Sequence, residues 1–279
     1  MTSGPTPKQP LLLGRYDAAA VLAMFEKAGV LAAIASRGFS GFEVEIDDSA
    51  GPLTHTRLLA TKDGQRALLV DACLTEVQVE TGGRSAPGYQ GKQPIDLIVA
   101  YWLREQDPTA TFDPSHPRLP LQEHPGLGVL RDVFRVALRI ARELGKHGIA
   151  AMPKFFHDAA IFHHSRLFLF LDPREQGRFE ALVRDLAHLA LADASLALAG
   201  GAVRDREGRP AAWNGGLQVM PLRPPLTDYF HTEDYQATCR EVLETAHFVV
   251  EGTALREARE IFERSQAAGG GLQYGFGPV

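Results

Sequence analysis

The sequence predicts an α/β fold of the α+β kind: a mixed β-sheet flanked by helices, with helical additions at both ends. Three observations carry this. Phe42-Glu43-Val44-Glu45-Ile46-Asp47 alternates apolar and acidic residues, the period of a half-buried strand, and two more extended runs follow it. From Val129 onward, helical periodicity alternates with short apolar runs bounded by Gly and Pro, the pattern of an α/β layer. Of the 279 residues, 45% are hydrophobic and 23% charged, which is an ordinary globular composition.

Taken in order, residues 1–12 carry Pro5, Pro7 and Pro10 and are expected to be a disordered lead-in. An α/β domain over residues 13–200 follows. Tyr16 to Arg37 is alanine-rich, with Val21, Leu22, Phe25, Ala28 and Leu31 at helical spacing, and Gly38 ends it. Leu53–Thr61 and Arg66–Glu80 are extended runs. The Asp63-Gly64 pair between them supplies the positive φ of a two-residue hairpin turn. A Gly/Pro-rich loop, Thr81–Pro94, leads to Ile95–Leu103, apolar nearly throughout and read as a strand buried on both faces.

Pro108, Pro114, Pro117 and Pro120 mark an extended connection. After Gly128, an apolar stripe of Val129, Val133, Val136, Ala137, Ile140 and Leu144 defines a helix, closed by Gly145. Ile149–Met152 and Leu167–Leu171 are expected to be neighbouring buried strands, joined by a short helix over Phe156–Ser165. Asp172 can cap a helix with Pro173 at its first position and Glu175 at its third, running to about Ala199 before Gly200-Gly201. Residues 201–231 read as a Gly/Pro-rich loop or linker. Residues 232–266 read as a C-terminal helix capped by Thr232 with a break at Gly252, and 267–279 as a flexible tail.

The net charge of −5 has no basic signature, so no nucleic-acid partner is expected. Cys73 and Cys239 form neither a disulfide framework nor a zinc pattern and are expected to be buried free thiols. No secretory signal is visible and no apolar run reaches the roughly 20 residues of a membrane span, so a cytoplasmic location is expected. The last helix is apolar along much of its length and could form a homodimer contact.

The stretch Glu123-His124-Pro125-Gly126-Leu127-Gly128 is the most informative. A turn with two glycines opens a helix, whose first N–H groups lack partners and sit at the positive end of its dipole. An anion can bind there. No Gly-Lys-Ser/Thr follows, so this is not a Walker loop. Arg131 stands where a dinucleotide fingerprint has its third glycine.

From this turn to Pro173, roughly residues 119–173, the order of elements resembles the core of the GNAT superfamily of N-acyltransferases. There a Gln/Arg-x-x-Gly-x-Gly/Ala loop grips the pyrophosphate of acyl-CoA and opens a long helix; a strand, a short helix and a last strand follow. Ala159 and Phe168 match a further family pattern over the short helix and last strand. Glu123 stands where the family has Gln or Arg, Leu167 where it has Gly, and His163 where a tyrosine often serves as general acid. The resemblance implies an acyl-CoA-dependent N-acyltransferase. Acetyl-CoA or another acyl-CoA would be co-substrate, held by Gly126, Leu127, Gly128 and Val129. His163 would be the catalytic acid, and a small-molecule or peptide amine the acceptor. A non-catalytic GNAT-like module that binds a ligand or a protein is the alternative.

A second constellation is His157, His163 and His164 with Asp158. A metal-dependent hydrolase would use it, but no pair has the i, i+4 spacing of a shared metal, so no metal site is expected. Glu76, Glu80, Glu105 and Asp107 fall at or near the expected strand ends, where a carboxylate could deprotonate an amine. Ser165, Ser195 and Cys73 lack the context of a nucleophile elbow.

Overall fold

A computed structural model describes residues 9–83, 86, 88–113, 117–164 and 167–267, with the backbone alone at residues 164, 266 and 267. The architecture is mixed α/β. The chain forms two compact units. One comprises the chain through Gln78 with Asp96–Ala110 and His124–Ala151; the other comprises Val79–Ile95, Thr111–Glu123 and Met152–Val279.

The first unit opens with helix α1, Ala18–Lys27, capped by the Asp17 carboxylate accepting from the Ala20 N–H at 2.8 Å. It buries Val21, Met24 and Phe25. A second helix, α2, spans Val30–Ala35. The sequence suggests one continuous helix here. Gly29, at φ +86°, turns the chain into the left-handed region and divides it. Leu12 and Leu13 are buried, so the expected lead-in ends before residue 12.

Strands β1 (Ser40–Asp47), β2 (Thr54–Lys62) and β3 (Gln65–Val79) form the antiparallel meander that the alternation predicts. Lys62 pairs with Gln65 across Asp63 and Gly64, both at positive φ, which is the turn that matches strand twist. Strand β4 (Ile95–Glu105) lies beside β3, burying Ile95, Leu97, Ile98 and Val99. Helix α3 (Leu130–Glu143) crosses over from β4 to β5 (Gly148–Ala151), which pairs parallel to it from Leu97↔Gly148 to Ala100↔Ala151. Gly145, at φ +61°, ends α3. The Lys146 N–H reaches Ala141 O at 2.8 Å and the Gly145 N–H reaches Arg142 O at 3.0 Å, so two terminal carbonyls are satisfied.

In the second unit, helix α4 (Phe156–His164) leads to strand β6, which is only Leu169–Phe170. Helix α5 (Pro173–Asp185) starts as its sequence predicts, with Asp172 accepting from Arg174 N at 2.8 Å and Pro173 in the first turn. Helix α6 (Leu191–Ala199) is separate from it. The sequence predicts one helix here. The break lets α6 pack on α4 instead of continuing along α5, and packing overrides local propensity.

The expected linker of residues 201–231 carries strands β7 (Val203–Arg204) and β8 (Gln218–Pro221) and helix α7 (Leu226–Phe230). Strand β6 takes β8 as its antiparallel partner, through Leu169↔Val219 and Phe170↔Gln218. The strand expected beside it, Gly148–Ala151, pairs with β4 in the first unit. A chain returning from residue 218 leaves no local trace that would announce this.

The last helix is likewise two, α8 (Glu233–Thr245) and α9 (Gly252–Ala267), with β9 (Val249–Val250) between them pairing to β7. Gly252 begins α9, as the sequence suggests, but α8 stops earlier. The Arg184 guanidinium donates to Leu243 O and Ala246 O, each at 2.7 Å, and the Asp185 carboxylate accepts the Phe248 N–H at 2.8 Å. Two adjacent residues of α5 thus hold the end of α8. Between these helices, a Cβ built on Gly177 would lie 2.4 Å from Cys239 O, so α5 and α8 meet at their backbones. Phe156, Phe170, Phe179 and Trp213 form an aromatic core with edge-on and tilted pairs at centroid distances of 5.3–6.1 Å. Of the tail expected over residues 267–279, Ala267 is the last residue of α9 and the others lie outside the described residues.

Candidate functional site

The Gly126–Val129 turn sits where β4 has ended and α3 begins. It is pinned from both sides. Asp107 N donates to Pro125 O at 2.7 Å, and Leu127 and Val129 are buried, at 1% and 2% exposure. Gly128, at φ +69°, makes the left-handed bend that points successive N–H groups inward. Helix α3 has no side-chain cap of its own at Val129.

The anion that the sequence leads one to expect is there, and it belongs to the protein. The Glu105 carboxylate, at the last residue of β4, accepts from Gly128 N at 3.2 Å and from Val129 N at 3.0 Å; the Leu127 N–H also contributes. Burial raises the pKa of Glu105, and the three N–H groups together with the Arg37 charge pull it back down. Arg37 also pairs with Asp107 at 3.6 Å. A Cβ on Gly126 would stand 3.0 Å from Glu105 Oε1, so a side chain there would press on the carboxylate.

Glu105 therefore acts as a helix cap in this structure, and not as a base aimed at a substrate. Of the other carboxylates singled out from the sequence, Glu76 pairs with Lys146, and Asp107 accepts from the Thr109 N–H and hydroxyl at 3.0 and 2.7 Å. The sequence drew attention to Glu123 as the carboxylate beside the turn. Glu105 arrives from 23 residues before Gly128, and only the parallel crossover brings it there.

His163 lies in the second unit, on α4, half-buried and edge-on to Phe179 with ring centroids 5.1 Å apart. His157 is nearly fully buried on the same helix and stacks on Phe155 at 5.4 Å. Its Nδ1 lies 2.7 Å from Ser195 Oγ and its Nε2 lies 3.2 Å from Asp158 Oδ1. Among the described residues, no three His, Cys, Asp or Glu side chains converge as a metal site would require. The side chain of His164 lies outside what is described. The contact between His157 and Ser195, 38 residues apart, has no local sequence signal.

Cys73 and Cys239 are free and buried, as expected. Burial pushes the Cys239 thiol up to about 11, which makes it a poor nucleophile. Among the described residues, no helix is long and apolar enough to cross a membrane. In comparison with known proteins, no family model matches the chain and none of the curated proteins is similar to it.

Proposed function

We propose that this protein binds an acyl-CoA at the Gly126–Val129 turn and transfers the acyl group to an amine, as the GNAT resemblance implies. One observation supports the reading above the rest. Two backbone N–H groups at the start of α3, of Gly128 and Val129, converge on a single anion, on the crossover between parallel strands β4 and β5. A nest that holds a carboxylate has the donor geometry for a pyrophosphate oxygen. Glu105 is its placeholder and has to swing out for the coenzyme to enter. In the reaction, the neutral amine attacks the thioester carbonyl, the C–N bond forms as the C–S bond breaks, the nitrogen gives up a proton to solvent, and the leaving thiolate takes one from solvent. Positioning and polarisation supply most of the rate.

The occupied nest also favours a second reading. With its N–H groups already satisfied, the turn needs no ligand to be stable. A non-catalytic module of the same shape would look the same. Calorimetry with acetyl-CoA on the unmodified protein and on Glu105→Ala separates the readings. The transferase reading expects binding that tightens several-fold in Glu105→Ala, and release of free CoA thiol when amines are added. Tightened binding with no thiol release from a panel of amines and peptides would leave the binding module. Absence of binding by both proteins at millimolar acetyl-CoA would end both.

A further inference from the structure

The second unit holds a pocket of about 240 Å³ that the acyl-CoA reading does not use. Phe155, Phe156, Leu198 and Trp213 give it apolar walls, Lys154 brings a cation to its lining, and Ser195 reaches it from α6. Ser195 is buried, at 1% exposure in all, and this pocket is the cavity it lines.

Behind Ser195 stands a fixed imidazole. The Nδ1 of His157 is hydrogen-bonded with Ser195 Oγ at 2.7 Å, and Asp158 Oδ1 lies 3.2 Å from Nε2 as an ion-pair contact. A carboxylate this close to Nε2 favours the tautomer with the hydrogen on that nitrogen. Burial lowers the His157 pKa, which keeps the ring neutral near pH 7. In that tautomer Nδ1 presents a bare lone pair and the Ser195 hydroxyl donates to it. Stacking on Phe155 prevents the ring from turning away. Asp158 is itself held, its second oxygen accepting the Phe155 N–H at 3.0 Å.

We infer that Ser195, with His157 as its base and Asp158 positioning the ring, forms an acyl-transfer site for small carboxylic esters with an apolar acyl group. Nucleophile and base are within hydrogen-bond distance and a carboxylate lies against the base's other nitrogen, the arrangement that activates a serine. Ser195 Oγ attacks the ester carbonyl and its proton passes to His157 Nδ1. Lys154 offers positive charge to the oxyanion that develops. Collapse breaks the bond to the alcohol, which leaves with the proton from His157. Water then attacks the acyl-serine, again through Nδ1, and releases the carboxylic acid and the free serine. Ester and water give acid and alcohol, with no other reactant.

The test is to treat the intact protein with p-nitrophenyl acetate, p-nitrophenyl butyrate and a fluorophosphonate, and to map any adduct by peptide mass spectrometry. The expected result is one stoichiometric fluorophosphonate adduct on the peptide carrying Ser195, and a burst of p-nitrophenol followed by slower turnover. Ser195→Ala should lose both. Asp158→Asn should lower kcat by at least tenfold with little change in KM, because it frees the ring tautomer without reshaping the pocket. No adduct on Ser195 of the unmodified protein would overturn the proposal, and this arm needs no variant to fold. So would ester hydrolysis that persists undiminished in Ser195→Ala.

Discussion

Glu105 Oε2 lies 3.0 Å from the amide nitrogen of Val129, so the last side chain of β4 closes the first turn of α3. One carboxylate thereby joins a strand end to the helix that crosses over from it. It gives the crossover an internal cap where no residue of the turn provides one.

That cap has a pH signature. Burial is the largest influence on Glu105 and raises its pKa above the ordinary 4.5. Between 4.5 and the raised value, the folded protein keeps a proton that the unfolded chain has released. Stability from this group is therefore complete below 4.5 and falls as pH rises through the folded pKa. Urea unfolding from pH 4.5 to 7.5 should show Glu105→Gln gaining stability relative to the unmodified protein as pH rises. A difference that stays flat across the range would show that Glu105 titrates the same in both states.

His157 should slope the other way. Burial lowers its pKa below 6.5, so below that pH the unfolded chain takes up a proton that the folded chain resists. Its contribution is whole above 6.5 and is lost as pH falls through the folded value. In the same series, His157→Gln should be penalised most at neutral pH and least near pH 5. Equal penalties at both ends would contradict a buried neutral imidazole.

The two glycines of the turn should behave differently. Gly128 sits at φ +69°, where any L side chain is strained by about 1–2 kcal/mol, so Gly128→Ala or Gly128→Val should lower stability as well as any ligand affinity. A substitution there is therefore no clean test of binding. Gly126 is outside the left-handed region and its Cβ would press on Glu105 Oε1, so Gly126→Ala is the sharper probe. It should shift Glu105 titration with a smaller loss of stability. Thermal melts together with the urea series measure both.

Arg184 ends α8 by donating to Leu243 O and Ala246 O, with 39% of its side chain exposed. Arg184→Ala should cost about 1–2 kcal/mol, at the low end for two charge-assisted hydrogen bonds because solvent can replace them in part. Arg184→Lys should recover less than half, since an ammonium lacks the fork that spans both carbonyls. Hydrogen exchange should show faster amides over the last turn of α8 in both variants. Unchanged exchange there would remove the capping role.

Local chemistry was legible in the sequence. The Asp63-Gly64 hairpin, the Asp172-Pro173 start of α5, the Gly145 stop of α3 and the buried β4 all follow from period and turn residues. Contacts set by chain return were not. Nothing near Leu169 indicates that Val219 will pair with it, and nothing near Gly128 indicates that Glu105 will fill its turn. His157 illustrates the same limit. Its neighbours in sequence suggested a histidine cluster, whereas its partner in space is a serine from another helix.

Gly177 has a consequence for how this protein can vary. The smallest possible side chain there would meet the Cys239 carbonyl oxygen at 2.4 Å and Val242 Cβ at 2.9 Å. A carbonyl in a helix cannot rotate aside as a side chain would. In a library randomised at position 177 and selected for soluble protein, glycine should be the sole survivor. Second-site changes at Val242 would not rescue alanine, because the obstruction is main chain. The α5–α8 contact thus leaves drift no intermediate step at this position, while the exposed positions around it remain open to change.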